Sequence, residues 1–263
     1  MASAKDIILK PITSKRAIKF VKANHYSGKV AAASQLHFGV FLNDIMGGVM
    51  QFGPSLDKRK TMRLVEGTKW NGFLELNRMV FTDRLPKNAE SRALAISFML
   101  IKRLYPHIEW IISFADGTQC GDGTIYRAAG FDLTGIKKNT TIWQAPDGSK
   151  HTDIGLRLGS NNPIPKGKPI KKTGASSMKV FKEMGFTPLP GFQLRYVYFL
   201  NPEARKRLTV PILPYSRIDE MGAGMYKGKR RVSSAGSGTS GDQLEGGGAS
   251  PTGTLQPSQK DRD

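Results

Sequence analysis

The hydrophobic and polar positions of the chain follow two repeating patterns, one with a period of two residues and one with the period of an α-helix. They predict six strands: Asp6–Pro11, His37–Leu42, Ile45–Phe52, Gly72–Phe81, Ile108–Ala115 and Gln193–Leu200. They also predict four helices: one that Ser14 caps and Gly28 ends, then Ser91–Tyr105, Gly123–Ala129 and Ser177–Met184. The stretch Phe131–Gln144 supplies a further strand or a hairpin.

The clearest helix and strand lie in the middle of the chain. The helix Ser91–Tyr105 carries Leu94, Phe98 and Ile101 on one broad apolar face, which indicates burial against a sheet. The following run, Ile108–Ala115, is almost entirely apolar, as expected of a central strand covered on both faces. The elements together predict an α/β fold in three layers, a mixed β-sheet flanked by helices. Their order, β-α-β-β-β-α-β-α-β, resembles that of the N-acetyltransferase (GNAT) superfamily.

The composition changes after Arg230 and Arg231. Residues 232–263 contain no aromatic residue and no apolar periodicity, so burial cannot offset the entropy of ordering them. We therefore predict one domain over residues 1–231 and a disordered tail rich in glycine and serine over 232–263. A basic loop at about 159–177 carries four lysines, which either contact a phosphate backbone or are simply solvated: Lys166, Lys168, Lys171 and Lys172.

The net charge of the chain indicates the kind of partner that the protein binds. Lysine and arginine total 40 against 21 aspartate and glutamate residues, a formal net charge of +19. Residues 232–263 hold four acidic and two basic residues, so they contribute −2 and the predicted domain carries +21. A charge of this size exceeds what solubility requires and indicates a polyanionic partner. A basic protein without such a partner is the alternative.

Cysteine usage and hydropathy indicate the cellular compartment in which we expect the protein. The single cysteine, Cys120, excludes an intramolecular disulfide framework and a multi-cysteine zinc site, which favours a reducing cytosol. No basic residue or histidine beside Cys120 lowers its pKa, so we do not expect it to be a nucleophile. Asp6 and Lys10 interrupt the N-terminal apolar run, and no apolar run approaches the roughly 18 residues of a membrane span. We therefore expect neither a signal peptide nor a membrane partner.

Two of the candidate chemical segments contain residues at the ends of predicted elements. His25 ends the first helix, where it either serves as a base or metal ligand or only caps the helix. Asp116 follows the central apolar strand, and the carboxyl ends of strands in an α/β sheet border the ligand crevice. It can act there as a base, a metal ligand or a contact for an amine, or it can be a turn residue.

The other two candidate segments lie within predicted elements. Glu75 and Arg78 are charged residues in a central strand, where they meet a partner or ligand, or else face solvent. Their odd separation places them on opposite faces of a regular strand. Tyr126 lies on the short helix before Gly130 and Phe131, and is either a packing residue or a proton donor. A tyrosine at this place resembles the GNAT residue that protonates a departing thiolate.

Six segments in order resemble the Mom proteins of bacteriophages, which are GNAT-related: HYSG, FLELNRMVF, KNAESRALAISFML, WIISFADG, GTIYRAAGF and QLRYVYFL. The resemblance extends from about Ile8 to Pro202. It implies an enzyme of the host cytoplasm that converts adenine in phage DNA to an N-carbamoylmethyl form and so blocks host restriction. It also implies catalytic roles for six residues: His25, Tyr26, Arg78, Ser113, Asp116 and Tyr126.

The donor of the transferred group stays open. A GNAT enzyme holds the pyrophosphate of acetyl-coenzyme A with a glycine-containing loop and a helix N-terminus. The corresponding stretch here, Arg84–Ser91, has no glycine, although the amides of four residues remain available for an anion: Asn88, Ala89, Glu90 and Ser91. Glu90 places a negative charge there. His25 and Asp116 would instead suit a metal such as iron, so acetyl-coenzyme A and iron are both candidates.

Three hypotheses follow for the function. The first is a DNA-modifying enzyme of the Mom type that takes double-stranded phage DNA, with the adenine flipped out or locally open. Phosphate contacts would then come from the four loop lysines together with Arg230 and Arg231. The second, an ordinary GNAT enzyme acting on a small amine or peptide, leaves the charge unexplained. The third, a DNA-binding protein without activity, leaves the clustered candidate residues unexplained.

Overall fold

The computed structural model describes residues 2–31, 33–158, 175–226 and 228–231. The strands of the fold are β1 Ile8–Pro11, β2 Leu36–Leu42, β3 Ile45–Gly53, β4 Phe73–Phe81, β5 Trp110–Gly117, β6 Asp132–Lys138, β7 Ile142–Gln144, β8 Lys150–Thr152, β9 Thr187–Pro188, β10 Phe192–Phe199, β11 Met225–Tyr226 and β12 Lys229–Arg230. The helices are α1 Ser14–Asn24, α2 Lys58–Met62, α3 Ala89–Leu104, α4 Thr124–Ala128, α5 Asp153–Leu158, α6 Ala175–Glu183, α7 Pro202–Lys206 and α8 Ser216–Glu220, with a 3₁₀ turn at Ala4–Asp6.

A seven-stranded sheet in the order β1-β2-β3-β4-β5-β10-β6 forms the centre of the molecule. All neighbouring strands are antiparallel except β4 and β5, which are parallel and connected through α3. The sheet is therefore mixed, as the sequence predicted.

Helices cover both faces of this sheet and make the three predicted layers. On one face, α3 buries Ala93, Leu94, Phe98 and Ile101 against the sheet, because these residues recur at helical spacing. On the other face, α1 buries Ala17 and Val21 against Val49 of β3 and Val80 of β4. The core thus lies on both sides of the central strands.

The parallel pairing between β4 and β5 is short. Only Phe73, Leu74 and Glu75 pair with β5, although β4 continues to Phe81 and β5 continues to Gly117. Beyond that point β4 pairs with β3 alone and β5 pairs with β10 alone. A gap therefore opens between the carboxyl ends of the two strands, at the position where an α/β sheet binds ligands.

An irregularity in β4 changes which side chains share a face. Gln51 of β3 pairs with Arg78, but the next residue, Phe52, pairs with Leu76, so Asn77 is an extra residue in the strand. Such a bulge reverses the alternation of side chains beyond it. Glu75 and Arg78 consequently lie on the same face, and the prediction that they lie on opposite faces is wrong.

The stretch Phe131–Gln144 supplies strands to two different sheets. Its first part is β6 at the edge of the central sheet, and its second part is β7, the middle strand of a small sheet in the order β8-β7-β9. Trp143 of β7 packs with Phe181 of α6 and with Phe186 in a cluster of its own. The small sheet therefore has its own core beside the central sheet.

Several elements differ from their predicted ends: β1 begins at Ile8 rather than Asp6, α3 at Ala89 rather than Ser91, and β5 at Trp110 rather than Ile108. Thr13, and not Ser14, caps α1. Helix α1 ends at Asn24, and His25 follows in an extended conformation with its N–H bonded to the carbonyl of Val21. Helix α6 begins at Ala175, two residues before the predicted start.

The chain divides into two units, Met1–Ser233 and Ser234–Asp263. The predicted tail at 232–263 lies outside the described residues, and so does the basic loop up to residue 174. The disorder of the tail and the exposure of the basic loop therefore stay predictions.

Candidate active site

The gap between β4 and β5 is bridged by a serine at its narrow end. Ser113 of β5 is 1% exposed, and its hydroxyl donates to the carbonyl of Leu76 over 3.5 Å. The hydroxyl of Ser113 also lies close enough to the phenol of Tyr126 to influence its pKa. Burial raises the pKa of Tyr126, so this phenol stays protonated near neutral pH. It presents a proton donor at the gap.

A buried carboxylate positions the helix that carries Tyr126. Asp122 is fully buried and bonds to Arg127 at 3.0 Å, to Arg231 at 2.6 Å and to the N–H of Met225 at 3.1 Å. Its carbonyl accepts from the hydroxyl of Tyr196 at 2.5 Å. These bonds tie the start of α4 to β10 and to the end of the described chain.

Glycine is required at the position that precedes this helix. Gly123 has a φ of +87°, which side-chain-bearing residues rarely adopt, and a Cβ there would lie 2.4 Å from the ring of Tyr196. The sequence GTIYRAAGF thus begins with a glycine because the chain passes directly over a buried aromatic ring.

A second tyrosine meets the carboxylate at the end of β5. The hydroxyl of Tyr26, two residues beyond α1, donates to Oδ2 of Asp116 over 3.0 Å. The residue is 54% exposed, yet its hydroxyl end is desolvated. Desolvation, and then the negative charge of Asp116, raise the pKa of Tyr26 far above its usual value. Asp116 thus holds a protonated phenol at the mouth of the gap.

Asp116 is itself held by the turn that follows β5. Its Oδ1 accepts from the N–H of Thr118 at 3.0 Å, from that residue's hydroxyl, and from the N–H of Gln119 at 3.2 Å. Its Oδ2 accepts from the side-chain amide of Gln119 at 3.2 Å. Both carboxylate oxygens are therefore occupied by protein donors.

His25 is a neutral hydrogen-bond donor in this arrangement. Its Nδ1 accepts from the N–H of Ser27 at 3.1 Å and lies 2.7 Å from the hydroxyl of Ser27. Burial, and then the positive charge of Arg78, lower the pKa of His25 to about 4. With Nδ1 accepting, the proton of the neutral ring lies on Nε2. The geometry suits a donor at Nε2 better than a base or a metal ligand.

Arg78 occupies the centre of the group. Its Nε donates to the carbonyl of Lys29 at 3.0 Å and its Nη1 to the carbonyl of Asn77 at 2.6 Å. Its charge favours the ionised forms of Glu75 and Tyr126 and the neutral form of His25. The structure thus brings the six predicted residues together, from the segment that follows α1 and from β4, β5 and α4.

Two further side chains face this site that the predicted set omitted. Glu75 shares its face with Arg78, and burial raises its pKa above the usual range. Phe114 is 43% exposed although it lies in a central strand, on the same face as Asp116 two residues on. That spacing from Asp116 is the signal that could have identified Phe114, whereas the bulge that brings Glu75 to Arg78 is not visible in the sequence.

The cysteine beside the site is not activated. Burial, and then the negative charge of Asp116, raise the pKa of Cys120. Its thiol therefore stays protonated.

The predicted phosphate-binding residues divide into three groups. The four loop lysines, Lys166, Lys168, Lys171 and Lys172, lie outside the described residues. Arg230 is exposed on β12. Arg231 forms ion pairs with Asp122 and with Asp219, so its guanidinium is engaged within the protein.

In the first turn of α3, one of the four amides offered to an anion is already engaged, and a carboxylate lies beside the others. The N–H of Ala89 already bonds to the carbonyl of Pro86 at 3.1 Å, and Glu90 adds a carboxylate to the turn. Asn88 has a left-handed backbone with a φ of 68° and no capping side-chain bond, and the hydroxyl of Ser91 donates to its carbonyl at 3.2 Å. We therefore derive no step through coenzyme A.

A metal ion held by His25 and Asp116 does not fit either. Nδ1 of the histidine and both oxygens of the carboxylate already have protein partners. Within the described residues, no three histidine, cysteine, aspartate or glutamate side chains group closely enough to hold a metal. We derive no step through iron.

Comparison with solved structures returns N-acetyltransferases at low similarity. The ribosomal-protein-S18-alanine N-acetyltransferase of Escherichia coli is 10% identical, with a TM-score of 0.38, covering 74% of this chain and 94% of its own. The IAA acetyltransferase of Bacillus cereus is 8% identical, with a TM-score of 0.39, covering 73% and 99%. The fold class follows instead from the element order and the topology of the central sheet. No helix among the described residues is long and apolar enough to cross a membrane.

Sequence comparison is more specific. The methylcarbamoylase Mom of Escherichia phage Mu is 33% identical over 219 residues, which covers 81% of this chain and 85% of that protein. A model of the Mom protein family matches residues 6–217, a range that holds all six residues gathered at the gap. By both comparisons, the chain belongs to the Mom protein family.

Proposed function

We propose that this protein is a transferase that modifies adenine in DNA, adding a carbamoylmethyl group and thereby protecting phage DNA from host restriction. The observation that carries the proposal is the cluster at the gap, in which Tyr126 and Ser113 meet Arg78, Asp116 and Tyr26. Membership of the Mom family and a relative named methylcarbamoylase support this reaction class. The high positive charge supports DNA as the substrate.

The target base has to leave the duplex to reach the gap. The amino group of a paired adenine is engaged with its partner, so enzymes that act on bases flip them out or meet them in an open strand. Two exposed rings border the gap, those of Tyr26 and Phe114. Exposed aromatic faces suit an unstacked base, because stacking on a ring replaces part of the stacking that the base gives up in DNA.

Glu75 is the proposed acceptor of the proton that the adenine amine loses when it is substituted. A carboxylate becomes a better base near neutral pH when burial raises its pKa, and Glu75 has this environment. Hydrogen bonds from Ser55 and Asn77, and then the charge of Arg78, favour its ionised form. As the adenine nitrogen bonds to the carbamoylmethyl carbon, the bond from that carbon to its carrier breaks, and Tyr126 supplies a proton to the departing carrier. His25 offers the Nε2–H as a hydrogen-bond donor to the substrate.

The proposal predicts a new nucleoside in bacteria that express the protein. DNA isolated from these cells, digested to nucleosides and analysed by mass spectrometry, should contain deoxyadenosine in which one carbamoylmethyl group replaces a hydrogen. The DNA should also resist several restriction enzymes. DNA from cells expressing equal amounts of soluble Asp116→Asn serves as the control. If soluble wild-type protein yields only unmodified nucleosides, a DNA-binding role without catalysis replaces the proposal.

The role of Glu75 predicts a dependence on pH. In extracts of expressing cells, which supply the donor, modification of added DNA should fall as the pH is lowered through the raised pKa of Glu75. The reason is that only the ionised carboxylate accepts a proton. Glu75→Gln should reduce the rate by about 10²–10⁴, the usual effect of losing a general base.

A glutamate on the surface provides the matched control. Glu66 is exposed, so Glu66→Gln should keep the wild-type rate and pH profile. Wild-type activity in Glu75→Gln would show that another group accepts the proton.

A further inference from the structure

A cleft of about 410 Å³ lies next to the candidate active site, on its α1 side. Lys29 lines one wall, in the segment that follows α1, and Lys150 and His151 of β8 line the other. Tyr26 and Gln119 also line it, and both bond to Asp116. The cleft, which we call the basic cleft, therefore joins the small sheet to the proposed reaction centre.

The basic cleft is positively charged and has no acidic lining residue. In the described part of the chain, neither Lys29 nor Lys150 forms an ion pair with a carboxylate. Asp147 lies near His151 but outside the lining, and it accepts from the hydroxyl of Ser149 at 2.5 Å. Two lysines that line one cavity without a counter-ion are a site for an anion.

We propose that the basic cleft binds a phosphodiester group of the DNA strand beside the target nucleotide. The inference rests on the proposed function, since it takes DNA to be the substrate. The position of the basic cleft supports this assignment. A nucleotide whose base enters the gap past Tyr26 remains joined to its neighbours, so the backbone must run along the surface beside Tyr26. The basic cleft is a cationic cavity beside Tyr26, and phosphate contacts of this kind set the register of a DNA strand.

Lys29 also connects the bound DNA strand to Arg78. The carbonyl of Lys29 accepts from Nε of Arg78 at 3.0 Å, so the residue that would hold the phosphate is bonded through its backbone to the centre of the site. A strand held at the basic cleft is thereby placed at a fixed distance from the reacting groups.

The test removes the two lysines and compares the result with the removal of two distant ones. Lys29→Gln/Lys150→Gln is the test variant. Lys102→Gln/Lys206→Gln is the matched control, with the same change of charge at the last turn of α3 and on α7, at the opposite end of the sheet. Binding of a fluorescein-labelled DNA duplex is measured by anisotropy over a range of salt concentrations.

The expected result is a change in salt dependence confined to the test variant. The slope of log K against log salt should become smaller by about 0.9 for each phosphate group that the variant no longer neutralises, whereas the control should keep the wild-type slope. Equal slopes for the two variants would overturn the inference, because the lysines would then act only through the total charge.

Two further arms separate the possible failures. In the first arm, adenosine 3′,5′-bisphosphate is titrated into the wild type and the test variant by calorimetry. If the test variant loses this binding but keeps the wild-type salt slope for DNA, the cleft binds a free nucleotide and the inference is overturned. Nucleoside analysis of the wild type runs in parallel. If the wild type yields modified adenine and the test and control variants have equal salt slopes, only the assignment of the basic cleft is refuted. If the wild type leaves DNA unmodified and the test variant has a reduced slope, the basic cleft binds DNA and the proposed reaction is refuted.

Discussion

The variant Tyr126→Phe is expected to leave DNA unmodified while the protein remains folded and bound to DNA. The substitution removes one oxygen and keeps the ring, which packs against Phe131 and Tyr196 at centroid distances of 5.2 and 5.3 Å. It removes the proton that burial holds on the phenol. Loss of a general acid typically lowers a rate by about 10²–10⁴, enough for the product to disappear from cellular DNA. The measurement is the fraction of modified adenine by mass spectrometry.

A second tyrosine provides the comparison for this variant. Tyr198 stacks on Phe98 at 4.2 Å and belongs to the same apolar cluster, away from Ser113. Tyr198→Phe should therefore preserve modification. Wild-type levels of modified adenine in Tyr126→Phe would show that its phenol serves packing alone.

The variant Asp122→Ala is expected to lower the free energy of unfolding by about 3 kcal/mol. It leaves the guanidinium of Arg127 and the N–H of Met225 without their partner, and Arg127 is largely buried. Removing one member of a buried ion pair is costly because the remaining charge stays desolvated. Urea denaturation followed by circular dichroism measures the change.

An exposed ion pair is the reference for that measurement. Glu203 pairs with Lys206 on the surface of α7, where solvent screens the interaction. Glu203→Ala should therefore lower the free energy of unfolding by less than about 1 kcal/mol. If Asp122→Ala costs no more than Glu203→Ala, the buried network does not stabilise the fold.

The sequence predicted the elements whose patterns are local. The apolar face of α3 and the near-continuous apolar run of β5 each carry enough information in one segment to be assigned. Asp116 and Tyr126 could be chosen as candidates for the same reason, because one follows the end of a strand and the other lies on a short helix. Their joint position at one edge of the sheet follows from the rule for strand ends.

The remaining features depend on contacts between distant segments. The bulge at Asn77 arises where the pairing with β3 shifts by one residue, and no sequence pattern within β4 predicts it. Residues 142–144 pair with Lys150–Thr152 and with 187–188 rather than with the central sheet. The tautomer of His25 depends on the turn at Ser27. Each of these is decided by tertiary packing, which local propensity does not encode.

The network around Asp122 also joins segments that are translated far apart in time. The carboxylate and α4 leave the ribosome early, but two of their partners, Met225 and Arg231, lie about a hundred residues further on. Until that last segment has been translated, the buried charge lacks half of its hydrogen bonds and α4 lacks its final support. The hydrogen bonds that the last described segment gives to Asp122 can therefore form only late in translation, and a chain that stops before Arg231 lacks the guanidinium that pairs with this buried carboxylate.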